Sequence, residues 1–209
     1  MHNLIYHNKI PCINLFKEPL TFINLLDRSK HIVVYYANFK FGKMVLFEFI
    51  RQGLLKEENC IYCIPDYEDK SKIENEMYQY GIDVKYFIKR NLLIIFQIPN
   101  LLRHPKGVLR GSEEVLDIML SNINSNKSIR LVGRFIDKLN TKEEIDANLV
   151  LEKYYHSKFC NFKGSILCHY DVENCPANSN PEWLNSIFEN HHSSIFITDL
   201  DGKGVAFEL

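Results

Sequence analysis

No uncharged run in this 209-residue chain approaches the roughly 20 residues that a membrane-spanning helix needs. Excess charge of either sign is missing too. With 25 basic and 26 acidic residues and a formal net charge of -1, there is no long-range field to concentrate nucleic acid or an anionic membrane, so neither partner is supported. The start lacks the charged and apolar regions of a secretory signal, and the six cysteines are scattered through apolar segments. That usage predicts reduced thiols, a cytoplasmic location and a soluble chain. There is no internal repeat, low-complexity tract or composition break, which predicts a single domain over residues 21–209 behind an N-terminal extension of residues 1–20.

What the chain does have is alternation. Residues 1–20 carry apolar side chains interrupted by Pro11 and Pro19, and fit an edge strand or a docking arm. Thr21 to Arg28 reads as a short helix. His31 to Tyr36 is a continuous apolar run suited to a strand buried on both faces. From Lys43 the period becomes helical, with Val45, Leu46, Phe49, Ile50 and Leu54 on one face and Glu48, Arg51 and Gln52 largely on the other. Strands are expected at Asn59 to Ile64, Leu92 to Ile98, Ser128 to Phe135 and Gly164 to Tyr170. Between them, a polar helix over Asp66 to Tyr80 is closed by Gly81, and Ser112 and Thr141 stand as N-caps of two further helices. Asn100 to Gly111 reads as a basic loop, and Pro181 to Asn190 as a short helix carrying Trp183. The final SSIFITDLDGKGVAFEL is a hairpin around Asp201-Gly202. The whole predicts a three-layer α/β fold, a mostly parallel sheet with helices on both faces and a C-terminal antiparallel hairpin.

In such sheets ligands bind beyond the carboxyl ends of the strands. The stretch after the first strand, Ala37, Asn38, Phe39, Lys40, Phe41, Gly42, Lys43 and Met44, holds a small residue, a glycine and a lysine where a phosphate-cradling loop has them. Met44 stands where that loop needs a magnesium-binding hydroxyl, and bulky side chains fill positions that must allow close backbone approach. Phosphoryl transfer is therefore not expected, and an ordinary strand-to-helix turn is the plainer reading. A hydrolase would also want an acid at the end of the fourth strand, where Gly133 and Arg134 stand instead. Asp66 remains as an acid on the rim or a helix N-cap. Arg134 could hold an anion or pair with Asp66 or Asp171, and His169 and Asp171 could line a pocket or close the strand.

Cys60 and Cys63 lie three apart on a strand and so point to opposite faces, which argues against redox or zinc chemistry there. Cys168, His169, Cys175, His191 and His192 match no standard zinc spacing, and no metal site is expected. The aromatics Tyr35, Tyr36, Phe39, Phe41 and Phe96 could line an apolar small-molecule pocket or pack in the core.

From about Leu20 to about Asn190 the order of elements resembles the RecA/KaiC-like ATPase core and, more closely, the DcmR-type sensory domain MEDS. The residues that carry the likeness are HIVVYYAN, FEFIRQGLLKEENCIYCIPD, GIDVKYFIKRNLLIIFQIP, SIRLVGRF and LCHYDVENCP. The resemblance implies a RecA-like sheet with a degenerate phosphate loop, in which Lys43 takes the lysine position and Met44 replaces the hydroxyl. It places Asp66 near the catalytic glutamates of KaiC-like ATPases, but behind Pro65 rather than a second acid, and Arg134 where an acid usually follows the strand. It implies a non-catalytic sensor or regulatory domain for small molecules, hydrocarbon derivatives among them, that signals through a protein partner, since no helix-turn-helix or kinase segment is recognisable. Two alternatives stay open: a weak, ring-forming ATPase holding ATP or ADP with Lys43 on phosphate and Asp66 positioning water, and an interaction scaffold docking by its sheet edges.

Overall fold

The computed structural model describes residues 17–27, 29–172, 181–198 and 203–209. The expectations for residues 1–16, Cys175, Pro176 and the Asp201-Gly202 turn lie outside them.

The first strand, β1 (His31–Tyr36), is buried along its whole length, and its neighbours explain why. One sheet of seven strands runs in the order β3-β2-β4-β5-β1-β6-β7, with β2 at Asn59–Pro65, β3 at Leu93–Ile98, β4 at Ile129–Val132, β5 at Gly164–Asp171, β6 at Ser193–Ile197 and β7 at Gly204–Glu208. All pairs are parallel except β6 with β7, the predicted antiparallel finish. With β5 on one side and β6 on the other, β1 needs apolar side chains on both faces. Its even-numbered residues, Ile32, Val34 and Tyr36, join one core; Val33 and Tyr35 join the other.

The first core lies under α1 (Pro19–Asn24), α2 (Phe39–Leu55), α3 (Lys70–Gln79) and α4 (Val84–Lys89). The second lies under α5 (Gly107–Ser121), α6 (Lys142–Lys158) and α7 (Pro181–Glu189), where Trp183 is fully buried. Cys60 and Cys63 fall into different cores, as their parity on β2 requires. Each buried Leu, Ile or Val contributes about 1.5–3 kcal/mol relative to exposure, so the two cores and not any single contact hold the layers together.

Caps decide where the helices start, and two start earlier than expected. Asn38 accepts a hydrogen bond from the Lys40 amide at 2.9 Å, so α2 begins at Phe39 and only Ala37 and Asn38 separate it from β1. Helix α5 begins at Gly107, which puts Ser112 inside it, buried, with its hydroxyl donating to the Leu109 carbonyl. Asp69, not Asp66, caps α3, and Asp83 opens the unforeseen α4. Thr141 caps α6 as expected, and with Glu144 it forms a capping box. Glu48, placed by its period on the polar face of α2, is buried. It accepts hydrogen bonds from Arg51, Gln52 and Tyr80; although burial alone would raise its pKa, these hold the carboxyl below its usual range. At the far edge, Lys17 makes an isolated antiparallel bridge to Ala206 of β7. No helix among the described residues is long and apolar enough to cross a membrane.

Candidate functional site

Connections after β1 and β2 run to the first helical layer, and those after β4 and β5 to the second. Since β1 lies beside β5 and β2 beside β4, the crevice between diverging connections opens above their carboxyl ends. A cavity of about 500 Å³ occupies it. Tyr36 and His169, the ends of β1 and β5 on the same face, meet there through a 2.9 Å hydrogen bond between the tyrosine hydroxyl and Nδ1. The Phe39 ring stands 5.9 Å from that of Tyr36. Across the cavity the Arg134 guanidinium lies 4.8 Å from the Tyr170 ring centroid and donates to the Asp137 carbonyl at 2.8 Å. Asp66 and Asp171 also line this wall. The site is thus an aromatic cleft with a cation and a neutral hydrogen-bonding pair, the composition of a small-molecule pocket.

A second cavity, of about 230 Å³ and mostly apolar, lies between α5, α6 and the sheet. At its wall stand three buried polar side chains, His31 from the start of β1, Glu152 from α6 and Cys168 from β5, and behind them His191, from the turn after α7, completes a cluster of four. Burial, with His191, His156 and His192 adding to it, drives the His31 pKa well down, while burial beside Glu152 drives the Cys168 thiol well up. Sequence spacing grouped Cys168 with His169 and His191 but did not bring in His31 or Glu152. Nothing local signals that residues up to 160 positions apart share one pocket; strand order alone brings β1 and β5 together.

The profile of the MEDS family, the methanogen/methylotroph DcmR sensory domain, matches residues 30–191. The chain belongs to this family. A KaiC-like protein from the hyperthermophilic archaeon Pyrococcus horikoshii OT3 shares the fold, with a TM-score of 0.53 at 14% identity over 80% of this chain and 70% of that one. None of the curated proteins compared with the chain matches it.

In this MEDS domain the stretch with the spacing of a phosphate loop, whose plainer reading is a strand-to-helix turn, is mostly helix. Phe39, Lys40, Phe41, Gly42, Lys43 and Met44 all belong to the first turns of α2, with only Ala37 and Asn38 left to connect. A Cβ on Gly42 would sit 2.6 Å from Cδ1 of Tyr36, so the glycine makes room for an aromatic ring rather than for a ligand's phosphates. Lys43 forms an ion pair with Glu76 of α3 and lies 4.5 Å from the Phe39 ring centroid. Of the predicted residues, the structure brings Phe39, Asp66, Arg134, His169 and Asp171 to one cavity and leaves Ala37, Asn38, Lys40, Phe41, Gly42, Lys43 and Met44 outside its lining. Tyr36, one of the aromatics that could line an apolar pocket, does line this one, together with Tyr62 and Glu68, which no local signal marks.

The rim carries a pH signature. Burial, reinforced by the Arg134 charge, pushes the His169 pKa from its ordinary 6.5 down to about 3. A histidine held neutral in the fold but free to charge when unfolded contributes stability that is full above its unfolded pKa and is lost as pH falls. Stability is therefore expected to drop between about pH 6.5 and about pH 3, with His169 contributing at most about 1.4 kcal/mol per pH unit. Urea unfolding over the accessible part of this range should give a shallower pH slope for His169→Gln than for the parent. An unchanged slope would remove His169 as the titrating group.

Proposed function

We propose that this MEDS domain is a non-catalytic sensor that takes a small molecule into the rim cavity and passes the occupied state to a protein partner. One observation carries this reading: the Tyr36 ring fills the space beside Gly42 where a nucleotide-binding loop receives phosphates, while an aromatic cleft remains open at the same strand ends. Lys43, committed to Glu76, is not offered to a phosphate. The cleft suits a compact ligand with an apolar body against Tyr36 and Phe39 and a polar or anionic group toward Arg134 and His169. Its degenerate loop argues against turnover of ATP or ADP, which would need the missing hydroxyl at Met44.

Isothermal titration with ATP, ADP and a panel of small apolar molecules, some bearing a single polar group, tests the reading. A panel member should bind, and Arg134→Ala or His169→Ala should weaken it at least about tenfold, or 1.4 kcal/mol, with Lys43→Ala leaving it unchanged. Steady magnesium-dependent ATP turnover abolished by Lys43→Ala would overturn it.

A further inference from the structure

We infer that His31, Glu152, Cys168 and His191 form a four-coordinate site for a zinc-class divalent cation. The inference stands apart from the rim cavity, and either can fail without the other. The four residues are at most 6% exposed, and one ligand atom from each lies within 4.8 Å of all the others.

Four of the six separations among these atoms match the edges of a tetrahedron, and the other two are within 4.8 Å. Bonds of about 2.0–2.1 Å to nitrogen or oxygen and about 2.3 Å to sulfur place ligand atoms about 3.3–3.8 Å apart. His31 Nε2 stands 3.4 Å from Cys168 Sγ and 3.6 Å from Glu152 Oε2. His191 Nε2 is 3.6 Å from the same oxygen, and Cys168 Sγ is 3.8 Å from it. The arrangement is too wide for strong hydrogen bonds to Oε2 and has the spacing of a shared central ion.

Two further observations point inward. His191 Nε2 is buried and has no hydrogen-bond partner, although it faces the carboxylate. The other nitrogen of that ring, Nδ1, lies 2.7 Å from the Ile187 carbonyl, which as its acceptor leaves the Nε2 lone pair directed at the cluster. On the far side, Tyr170 donates to Glu152 Oε1 and Asn148 donates to the Tyr170 oxygen at 3.0 Å, so Glu152 is oriented by an outer shell. The charge also balances. A buried carboxylate without a cation is costly, whereas a divalent cation with one thiolate, one carboxylate and two neutral imidazoles has no net charge. On binding, the cation exchanges its waters for the four side chains and the Cys168 thiol releases its proton to solvent. The mixed sulfur, nitrogen and oxygen set favours zinc and its neighbours over magnesium or calcium. The second cavity, lined by His31, Glu152 and Cys168, provides the approach.

Cobalt(II) titrated into the full chain after chelator treatment tests the site. One equivalent should bind and give tetrahedral d–d bands with a thiolate-to-cobalt charge-transfer band, and zinc should displace it. Cys168→Ser should abolish the charge-transfer band, and His191→Gln should keep it but weaken binding at least about tenfold. Cys160→Ser, at an exposed cysteine outside the cluster, should change neither. Far-ultraviolet circular dichroism identifies any variant that fails to fold, and His191→Gln carries the test should Cys168→Ser be one. A folded parent chain that gives no charge-transfer band, or a band that survives in folded Cys168→Ser, overturns the inference.

Discussion

Replacing Gly133 by aspartate is expected to destabilise the domain by more than about 3 kcal/mol and to give no catalytic gain. This position, at the carboxyl end of β4, is where a hydrolase of this fold would want an acid. Gly133 has a φ of +145°, and a Cβ built on it would lie 2.5 Å from the Cβ of Cys63 on the neighbouring strand β2. Backbone strain in that region costs about 1–3 kcal/mol. Forcing a side chain against a packed strand adds about 1–3 kcal/mol more, before the cost of desolvating a carboxylate at a buried position. For a chain of this size, 3 kcal/mol corresponds to a fall of about 6–12 °C in melting temperature. Gly133→Ala separates the steric share from the charge and should by itself cost about 2–4 kcal/mol in urea unfolding. An alanine variant within about 0.5 kcal/mol of the parent would show that the strand pair can spread, and the steric account would fall. The absence of the acid is then a packing requirement of the β2–β4 pair.

Arg130→Ala is the second large effect, expected at about 3–5 kcal/mol. Arg130 is 3% exposed in the middle of β4, on the face covered by α2. Its side chain lies in the space left by Gly53, where a Cβ would be 2.6 Å from Arg130 Cδ. The guanidinium pairs with Glu58, donates to the Phe49 carbonyl at 3.1 Å and stands 4.9 Å from the Phe49 ring centroid. Truncation removes all three contacts and leaves a hole beside a carbonyl and a carboxylate that have lost their donor. A double substitution, Arg130→Met with Glu58→Gln, keeps the volume and removes the unpaired charge, and should recover more than half of the loss. The comparison is read from urea midpoints at constant slope. A loss below about 1 kcal/mol for Arg130→Ala would mean that water already satisfies this region.

How much of this was legible depended on the range of the determining interaction. The limits of β1 follow from an unbroken apolar run, and the start of α6 from Thr141 and Glu144 three residues apart; both signals are local and both appear as expected. Ala37, Gly42 and Lys43 imitate a phosphate loop and so put the expected start of α2 at Lys43, while the decisive signal is the Asn38 cap two residues after the strand. Ser112 has the chemistry of an N-cap, yet a Tyr155 hydroxyl on α6 and the Leu109 carbonyl claim its side chain inside α5. Glu48 breaks the helical period because it is buried, where Tyr80 from just past α3 joins Arg51 and Gln52 in donating to its carboxylate.

The sequence by itself determined the alternation of strands and helices, the antiparallel finish, the opposed faces of Cys60 and Cys63, and the lack of a hydroxyl at Met44 and of an acid after β4. These depend on residue type and on periods of two and 3.6, which any stretch of chain carries within itself. Only the tertiary structure decided that the Tyr36 ring fills the space at Gly42, that Lys43 belongs to Glu76, and that His31, Glu152, Cys168 and His191 meet. Those facts follow from strand order and register. Setting β1 between β5 and β6 brings together side chains whose distance along the chain carries no trace of their distance in space.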